Sequence, residues 1–124
     1  MVHDDKTAVE AIILVLKEND IEAYPPATKT GECKKEYVVV KNSGASQYGD
    51  FSTEIHYVDI MCYVPWNKYT NLEKFKKLVK QIIHDNLYPR LMETGSETVD
   101  YYDEGFKAHM VSFMLRNNVR NKYL

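Results

Sequence analysis

The clearest alternation of apolar residues lies in residues 51–64, FSTEIHYVDIMCYV, and it predicts a long β-strand. Four apolar residues fall on one side of its pleat: Val58, Ile60, Cys62 and Val64. The opposite side is aromatic and amphipathic and includes one carboxylate: Ile55, Tyr57, Asp59, Met61 and Tyr63. Such a strand is expected at the centre of a sheet, with a helix over the first face and another protein chain over the second.

Two helices are predicted by apolar residues that recur every three or four positions. In the first helix the periodic residues are Val9, Ile12, Ile13 and Leu16. Asp4 or Asp5 is a suitable N-cap for this helix, which is expected to end at about Lys17 or Glu18. Residues 21–24 then read as an edge strand or an extended arm, because the two prolines that follow prevent further helix.

The second helix is expected to begin at a capping box, in which Thr70 accepts a hydrogen bond from the N3 amide and Glu73 bonds back to the cap. Its apolar stripe is long: Leu72, Phe75, Leu78, Val79, Ile82, Ile83 and Leu87. Four lysines are assigned to the solvated side: Lys74, Lys76, Lys77 and Lys80. Pro89 ends the helix, and the stripe is expected to pack on the sheet with Phe75 and Ile82 in the core.

Shorter segments complete the predicted sheet. Residues 37–41, YVVVK, are rich in β-branched side chains and predict a buried strand beside the central one. Residues 42–50 hold two glycines and are expected to form a flexible, projecting loop. Residues 97–102 and 106–115 alternate on either side of a turn and predict a hairpin, followed by a flexible tail over residues 117–124.

These elements define a single domain, residues 1–124, of the α/β (α+β) class. A mixed, mostly antiparallel sheet of about four to five strands is flanked by two helices, in the order α-β-β-β-α-β-β. A chain of 124 residues is long enough for one core and too short for two.

Composition and charge exclude several classes of function. Sixteen Lys and Arg against eighteen Asp and Glu give a formal net charge of −2, so no global basic field attracts nucleic acid or an anionic membrane. No apolar run approaches the roughly 20 residues of a membrane span, and the polar start is unlike a signal peptide, so a cytoplasmic protein is expected. Cys33 and Cys62 are expected to be reduced thiols. Ten tyrosines favour assembly, because Tyr supplies a large contact area with a polar tip.

No metal, cofactor or catalytic site is predicted. The four His and two Cys show no short metal-ligand spacing, and His56 and Cys62 lie about 20 Å apart along one strand. The loop that contains Gly44 and Gly49 lacks the Gly-Lys-Ser/Thr ending of a phosphate-binding loop and is followed by a strand rather than a helix.

Two carboxylates, Asp100 and Asp59, need a structural interpretation. Asp100 would lie opposite His109 if Glu104 and Gly105 form the hairpin turn. We interpret that pair as a surface contact, because no Ser or Cys nucleophile lies at a recognisable elbow nearby. Asp59 sits among aromatic neighbours and requires a partner or water. An intersubunit Lys or Arg and a solvated sheet face are the two interpretations open for Asp59.

The order of the elements and several sequence fragments resemble one family. An amphipathic helix and an extended AYPP segment precede the YVVV strand; the long TEIHYVDIMCYV strand precedes a capped helix and a hairpin. This arrangement resembles the tail terminator (tail completion, head–tail joining) proteins of long-tailed bacteriophages. The resemblance implies a small α/β subunit that assembles as a hexameric ring, caps the finished tail tube and then docks the filled head.

The resemblance also implies partners and a location. The chain would be a structural protein, not an enzyme, at the head-proximal end of the virion tail, present in the host cytoplasm during assembly. Its partners would be further copies of itself, the tail tube protein and the head-completion connector protein, while DNA passes through the ring without specific binding. A head-completion stopper or a minor capsid connector is the nearest alternative, and a small cytoplasmic enzyme is the more distant one.

Candidate contact residues follow from the second face of the central strand. That face is too aromatic to remain in water as a continuous patch, and a basic C-terminal segment offers Asp59 a partner on a neighbouring subunit. The subunit interface is therefore assigned to Tyr57, Asp59, Tyr63, Arg116 and Arg120. Contact with the tail tube or the connector is assigned to the projecting loop, at Ser43, Gln47, Tyr48 and Asp50.

Overall fold

Two helices and six strands account for most of the described chain. The computed structural model describes residues 7–47 and 53–120, with the backbone alone at 45–47, 53–54 and 118–120. The helices are α1 (Ala8–Glu18) and α2 (Leu72–Leu87), and a 3-10 helix, Trp66–Asn71, leads into α2. The strands are β1 (Ala23–Tyr24), β2 (Tyr37–Gln47), β3 (Thr53–Pro65), β4 (Leu91–Glu97), β5 (Tyr101–Asp103) and β6 (Ala108–Arg120).

The strands form one sheet in the order β1-β2-β3-β6-β4, and β5 also pairs with β6. β1 runs parallel to β2, while the other pairs of described strands are antiparallel. β3 is therefore central, between β2 and β6, as its two-sided pattern predicts. The single α+β domain with a mixed, mostly antiparallel sheet is confirmed. The sheet has six strands rather than four to five, because β1 is a true strand and β4 (Leu91–Glu97) precedes the predicted hairpin arm 97–102, near the end of which β5 (Tyr101–Asp103) lies.

The core lies between the two helices and one face of the sheet. Its β3 members are the four predicted residues, Val58, Ile60, Cys62 and Val64, each at most 1% exposed. α1 contributes Ala11, Ile12, Val15 and Leu16. Neighbouring strands extend the same layer with Val38, Val40, Val111, Phe113 and Leu115. The predicted helix-facing side of the central strand is confirmed.

Both cysteines are buried free thiols, as predicted, and they lie in separate clusters on opposite faces of the sheet. Burial raises the pKa of Cys62 to about 12. Burial also raises the pKa of Cys33. Neither side chain is a thiolate at neutral pH, so neither has the reactivity of a nucleophilic cysteine.

α1 begins at a capping box that differs from the expected cap. Thr7 is the N-cap: its Oγ1 accepts a hydrogen bond from the N–H of Glu10 at 3.2 Å. The Glu10 carboxylate in turn accepts from the N–H of Thr7 at 3.4 Å. Asp4 and Asp5, the expected caps, lie outside the described residues. The helix ends at Glu18 as predicted, and Asn19 closes it with a side-chain hydrogen bond from Nδ2 to the carbonyl of Val15 at 2.9 Å.

The capping box predicted at Thr70 and Glu73 does not form. Thr70 already lies within the 3-10 helix, and Asn71, the residue before α2, has helical backbone angles (φ −87°, ψ −10°) and no side-chain cap. A capping box needs an extended N-cap residue, so it cannot form where one helix continues into another. Glu73 instead pairs with Lys76, at 3.0 Å.

The apolar stripe of α2 packs on the sheet as predicted, except at Leu78 and Lys76. Leu72, Val79, Ile83 and Leu87 are buried. Phe75 and Ile82 are partly buried and pack against the edge of the core. Leu78, expected in the stripe, is 51% exposed, whereas Lys76, expected on the solvated side, is 7% exposed. α2 is therefore rotated so that Lys76 lies on the sheet side.

Strands replace most of the predicted loop and part of the predicted tail. Residues 42–47 belong to β2 and pair with β3, and residues 117–120 belong to β6. A bulge between Asn42 and Ala45 accommodates Gly44, whose φ of +102° favours glycine. Gly44 is interpreted from the sequence as part of a loop, but it lies at a bulge inside β2. Residues 48–52 and 121–124 lie outside the described residues.

The hairpin turn is longer than the two-residue turn considered from the sequence. Asp103 pairs with Ala108, so residues 104–107 form the turn, and Tyr102 rather than Asp100 lies opposite His109. The Asp103 carboxylate accepts a hydrogen bond from the N–H of Phe106 at 3.1 Å, which stabilises the turn.

Candidate functional site

The sheet face opposite the helices is covered along only part of its length. At one end a second apolar cluster seals it within the chain: Cys33, Tyr37, Tyr63 and Ala108. The N–H of Cys33 donates to the carbonyl of Phe106 at 2.7 Å and ties the segment before β2 to the β5–β6 turn. The rings of Tyr37 and Tyr63 stack with centroids 4.8 Å apart, and Phe106 meets Tyr63 edge-on at 6.1 Å. This end of the face is an intramolecular core.

Tyr63, assigned from the sequence to the subunit interface, belongs to that core. Its side chain is 8% exposed, because Tyr37 and Phe106 cover it, so it does not present a surface to a second chain. Burial raises the pKa of both Tyr63 and Tyr37, and both hydroxyls remain protonated. Part of this cover comes from Cys33 and Phe106, which are distant from β3 in the sequence. The pattern of β3 alone therefore does not predict that Tyr63 is buried.

The rest of this face is only partly covered, although Ile55, nearer the start of β3, is 7% exposed. Lys41 lies opposite Asp59, and Tyr57 lies opposite Arg116, in the β2–β3 and β3–β6 registers. Lys41 is exposed and the other three side chains are partly exposed. We call this surface the open end of the sheet and define it by Lys41, Tyr57, Asp59, Met114 and Arg116. Asp59 forms no ion pair with any residue that the structure describes.

The position of Arg116 changes the predicted interface. Arg116 is expected to approach Asp59 from a neighbouring subunit, but the structure brings both onto one face. Asp59 lies opposite Met114, so Arg116 is its diagonal neighbour, at a typical Cα separation of about 7–8 Å. Arg120 is the last residue of β6, opposite Thr53, and its side chain lies outside the described part. Asp59 thus has a cation on each adjacent strand of its own face.

The predicted contact loop is only partly described. Ser43 and Gln47 lie in β2, past the end of β1 and therefore at the edge of the sheet. Tyr48 and Asp50 lie outside the described residues. This edge is a segment of strand with a bulge rather than a projecting loop as far as Gln47.

An ion-pair network on the helix side was not predicted. The Nζ of Lys76 lies 2.8 Å from Glu97 and 3.0 Å from Glu73, and the Nζ of Lys80 lies 2.9 Å from Glu93 and also bonds Glu97. Burial alone would lower the pKa of both lysines, but their hydrogen bonds to carboxylates outweigh it and leave each pKa raised. Hydrogen bonds from the lysines lower the pKa of Glu97. The network fastens α2 to β4.

A signal for this network is present in the sequence. Lys76 follows Leu72 by four residues and precedes Val79 by three, so it occupies a position of the buried stripe. A charged residue at such a position requires a partner of opposite charge. The partner, Glu97, comes from a strand whose register is set by a bulge between Glu93 and Glu97, and this register cannot be read from the sequence.

Exposed aromatic side chains cluster at the end of the sheet where β3 meets the 3-10 helix. Trp66, Tyr69, Tyr101 and Tyr102 are between 42% and 57% exposed. His109 does not contact Asp100 here: its Nε2 lies 3.1 Å from the carbonyl oxygen of Trp66, and its ring packs against Tyr69 and Tyr102. The Tyr69 hydroxyl donates to Asp100 and lowers the pKa of that carboxyl. These side chains form an exposed aromatic surface.

A groove opens at the opposite end of α2, between the helix and β4. Its volume is about 320 Å³, and its floor consists of core residues: Ile83, Leu91, Phe113 and Leu115. His84 and Tyr88, whose rings stack with centroids 4.7 Å apart, line the groove, as do Lys80 and Glu93. The groove holds no nucleophile beside a base, so its chemistry favours binding of an apolar group over catalysis.

The described residues contain neither a cluster of metal ligands nor a membrane-spanning helix. No group of three or more His, Cys, Asp or Glu side chains there could hold a metal ion. His56 and Cys62 both lie on β3, six residues apart. Neither described helix has the length and apolar character that crossing a membrane requires.

Comparison with known proteins adds no relative. No protein-family model matches the chain, and no curated protein sequence is significantly similar to it.

Proposed function

We propose that this protein is the subunit of a ring that caps the tail tube of a long-tailed bacteriophage, ends tail polymerisation and provides the docking surface for the head. The element order supports the proposal. An N-terminal helix, three strands that end in a long central strand, a second helix and a final antiparallel set follow one another as they do in the family that the sequence resembles.

The single observation that carries the proposal is the unequal cover of the sheet face opposite the helices. One end is sealed by the chain's own Cys33, Tyr37 and Phe106. The open end keeps Tyr57 and Met114 only partly covered in the isolated subunit. Apolar and aromatic area that remains beside water on a sheet face is typical of a surface that a second chain covers.

The charged side chains of the open end are compatible with contact to a second chain and also with exposure to water in the free subunit. Lys41 and Arg116 flank Asp59 on adjacent strands, so the face is solvated in the free subunit. When a neighbouring copy excludes water, attraction between these groups strengthens because the local dielectric falls. Contact with the neighbouring copy can therefore bury the aromatic and apolar side chains, because the carboxylate of Asp59 that is buried with them keeps cations beside it.

Reversing one charge tests this interface. Asp59→Lys should lower ring stability at micromolar concentration while the subunit remains folded, because the variant places three cations together where water is excluded. Glu104→Lys is the matched control, since it makes the same charge change in the exposed β5–β6 turn. Light scattering measures the assembled fraction, and circular dichroism checks the fold. If Asp59→Lys forms rings as readily as Glu104→Lys, the interface lies elsewhere.

The function itself is tested by tail assembly in the absence of this protein. A terminator stops polymerisation, so its loss should yield polytubes of uncontrolled length. Tails of normal length beside unjoined heads would instead assign the chain to a head-completion stopper. Normal, joined virions would exclude both roles and leave an enzyme as the remaining alternative. Electron microscopy of infected cells distinguishes the three outcomes, and adding back the purified protein should restore normal length.

A further inference from the structure

We propose that Trp66 of one copy inserts into the groove between α2 and β4 of a neighbouring copy. The inference rests on the proposed ring, and it names a second contact that is distinct from the open end of the sheet. The inference is based on two features of the subunit: the exposed indole of Trp66 and the apolar groove between α2 and β4.

Trp66 is a fixed but exposed anchor. It is the only tryptophan in the chain, and its side chain is 57% exposed. Its backbone is held on both sides: the N–H donates to the carbonyl of Lys107 at 3.0 Å, and its carbonyl oxygen lies 3.1 Å from Nε2 of His109. An indole that is positioned in this way binds a partner without a large loss of backbone entropy. Tryptophan is also the residue most enriched among interface hot spots.

The groove has the size and chemistry for one aromatic side chain. Its volume of about 320 Å³ is near the lower end of the range for small binding pockets. Ile83, Leu91 and Phe113 form an apolar floor, and each is 2% exposed. The ring of Tyr88, 55% exposed, provides an edge against which an indole packs.

The two features cannot meet within one subunit. Trp66 begins the 3-10 helix that leads into α2, whereas Ile83 and Tyr88 lie at the other end of α2. A helix of 16 residues is about 24 Å long. The contact therefore has to form between copies, and a contact between two different surfaces repeats from copy to copy, which builds a ring when the rotation closes.

A half-exposed carboxylate lines the groove, and an exposed lysine lies close to Trp66 in the sequence. Glu93 lines the groove, where Lys80 lies 2.9 Å from its carboxylate. Lys68, two residues after Trp66, is exposed and has no ion pair within the described part of the chain. When the indole enters the groove, Lys68 can approach Glu93, which is 49% exposed.

Tryptophan fluorescence, excited at a wavelength that tyrosine hardly absorbs, tests the contact directly, because Trp66 is the only tryptophan in the chain. As the protein concentration rises and rings form, the emission maximum should move to shorter wavelength. Trp66→Phe should raise the concentration of half-assembly at least about tenfold, followed by light scattering. Tyr101→Phe and Tyr101→Ala, at an aromatic residue of the same end that is 53% exposed, are the controls and should leave that concentration unchanged. Trp66→Ala should weaken assembly further.

A charge exchange tests the groove as the site. Glu93→Lys and Lys68→Glu should each weaken assembly, and the double variant should restore it, a rescue that a merely structural role would not produce. Rings that form with unshifted emission, or a double variant that is no better than the single ones, would overturn this proposal and leave the proposed function standing. A wild-type chain that stays monomeric at all concentrations would overturn both.

Discussion

Ile83→Ala should lower the free energy of unfolding by about 2–5 kcal/mol, whereas Leu78→Ala on the same helix should change it by less than about 0.5 kcal/mol. Ile83 is 2% exposed and lies in the layer between α2 and the sheet, so its truncation removes buried methylene groups and leaves a cavity. Leu78 is 51% exposed, so its truncation exposes little that is not already in water.

The pair is informative because the apolar periodicity of the sequence places both residues in one stripe. Urea denaturation followed by circular dichroism gives the two free energies, and an unchanged slope with denaturant shows that the unfolded state is comparable. Equal losses for the two variants would mean that α2 is rotated relative to the position described here.

The predictions that succeeded rest on local periodicity. Alternation with a period of two fixes which side chains of β3 share a face, and this is a property of the strand alone. The sequence therefore predicts correctly which residues of β3 share a face and which residues form most of the buried side of α2. The burial of Val58, Ile60 and Cys62 follows once any helix covers that side.

The predictions that failed depend on contacts between distant segments. Thr7 and Thr70 each precede a glutamate by three residues, but Thr7 has an extended backbone, whereas Thr70 lies inside the 3-10 helix. Tyr63 is covered in part by Cys33 and Phe106, which are both distant from it in the sequence. The pattern of β3 does not show which other segment packs on each of its faces. That depends on how distant parts of the chain fold together.

The candidate site was predicted in part. The amphipathic face and the lone carboxylate Asp59 are visible in the alternation of β3. The placement of Arg116 on that same face follows from the β3–β6 register, which is a pairing between two strands and cannot be read from either one. Trp66 and its distance from the α2–β4 groove are likewise apparent only once the helix has been placed.

Glu97→Gln should lower the free energy of unfolding near neutral pH by about 1–3 kcal/mol, more than Lys76→Met, which should cost less than about 1 kcal/mol. Glu97 accepts hydrogen bonds from Lys76 and Lys80, and the side chain of Lys76 is 9% exposed. Glu97→Gln leaves that nearly buried ammonium with Glu73 alone. Lys76→Met removes the buried charge and keeps an unbranched side chain in the same space. The expected loss is below the roughly 3–5 kcal/mol of a fully buried pair, because Glu97 is 33% exposed.

The pH dependence of this difference identifies its electrostatic origin. The folded pKa of Glu97 lies below the ordinary value of 4.5, so the carboxylate contributes stability above that pH and loses it as the pH falls through the folded pKa. The folded pKa of Lys76 lies above 10.5, so its contribution is present below that pH and is lost as the pH rises through the folded pKa. The difference between wild type and Glu97→Gln should therefore be level between about pH 6 and pH 9 and shrink on both sides. Urea denaturation across this range measures it, and a difference that persists unchanged well below pH 4.5 would show that packing, not charge, makes Glu97 stabilising.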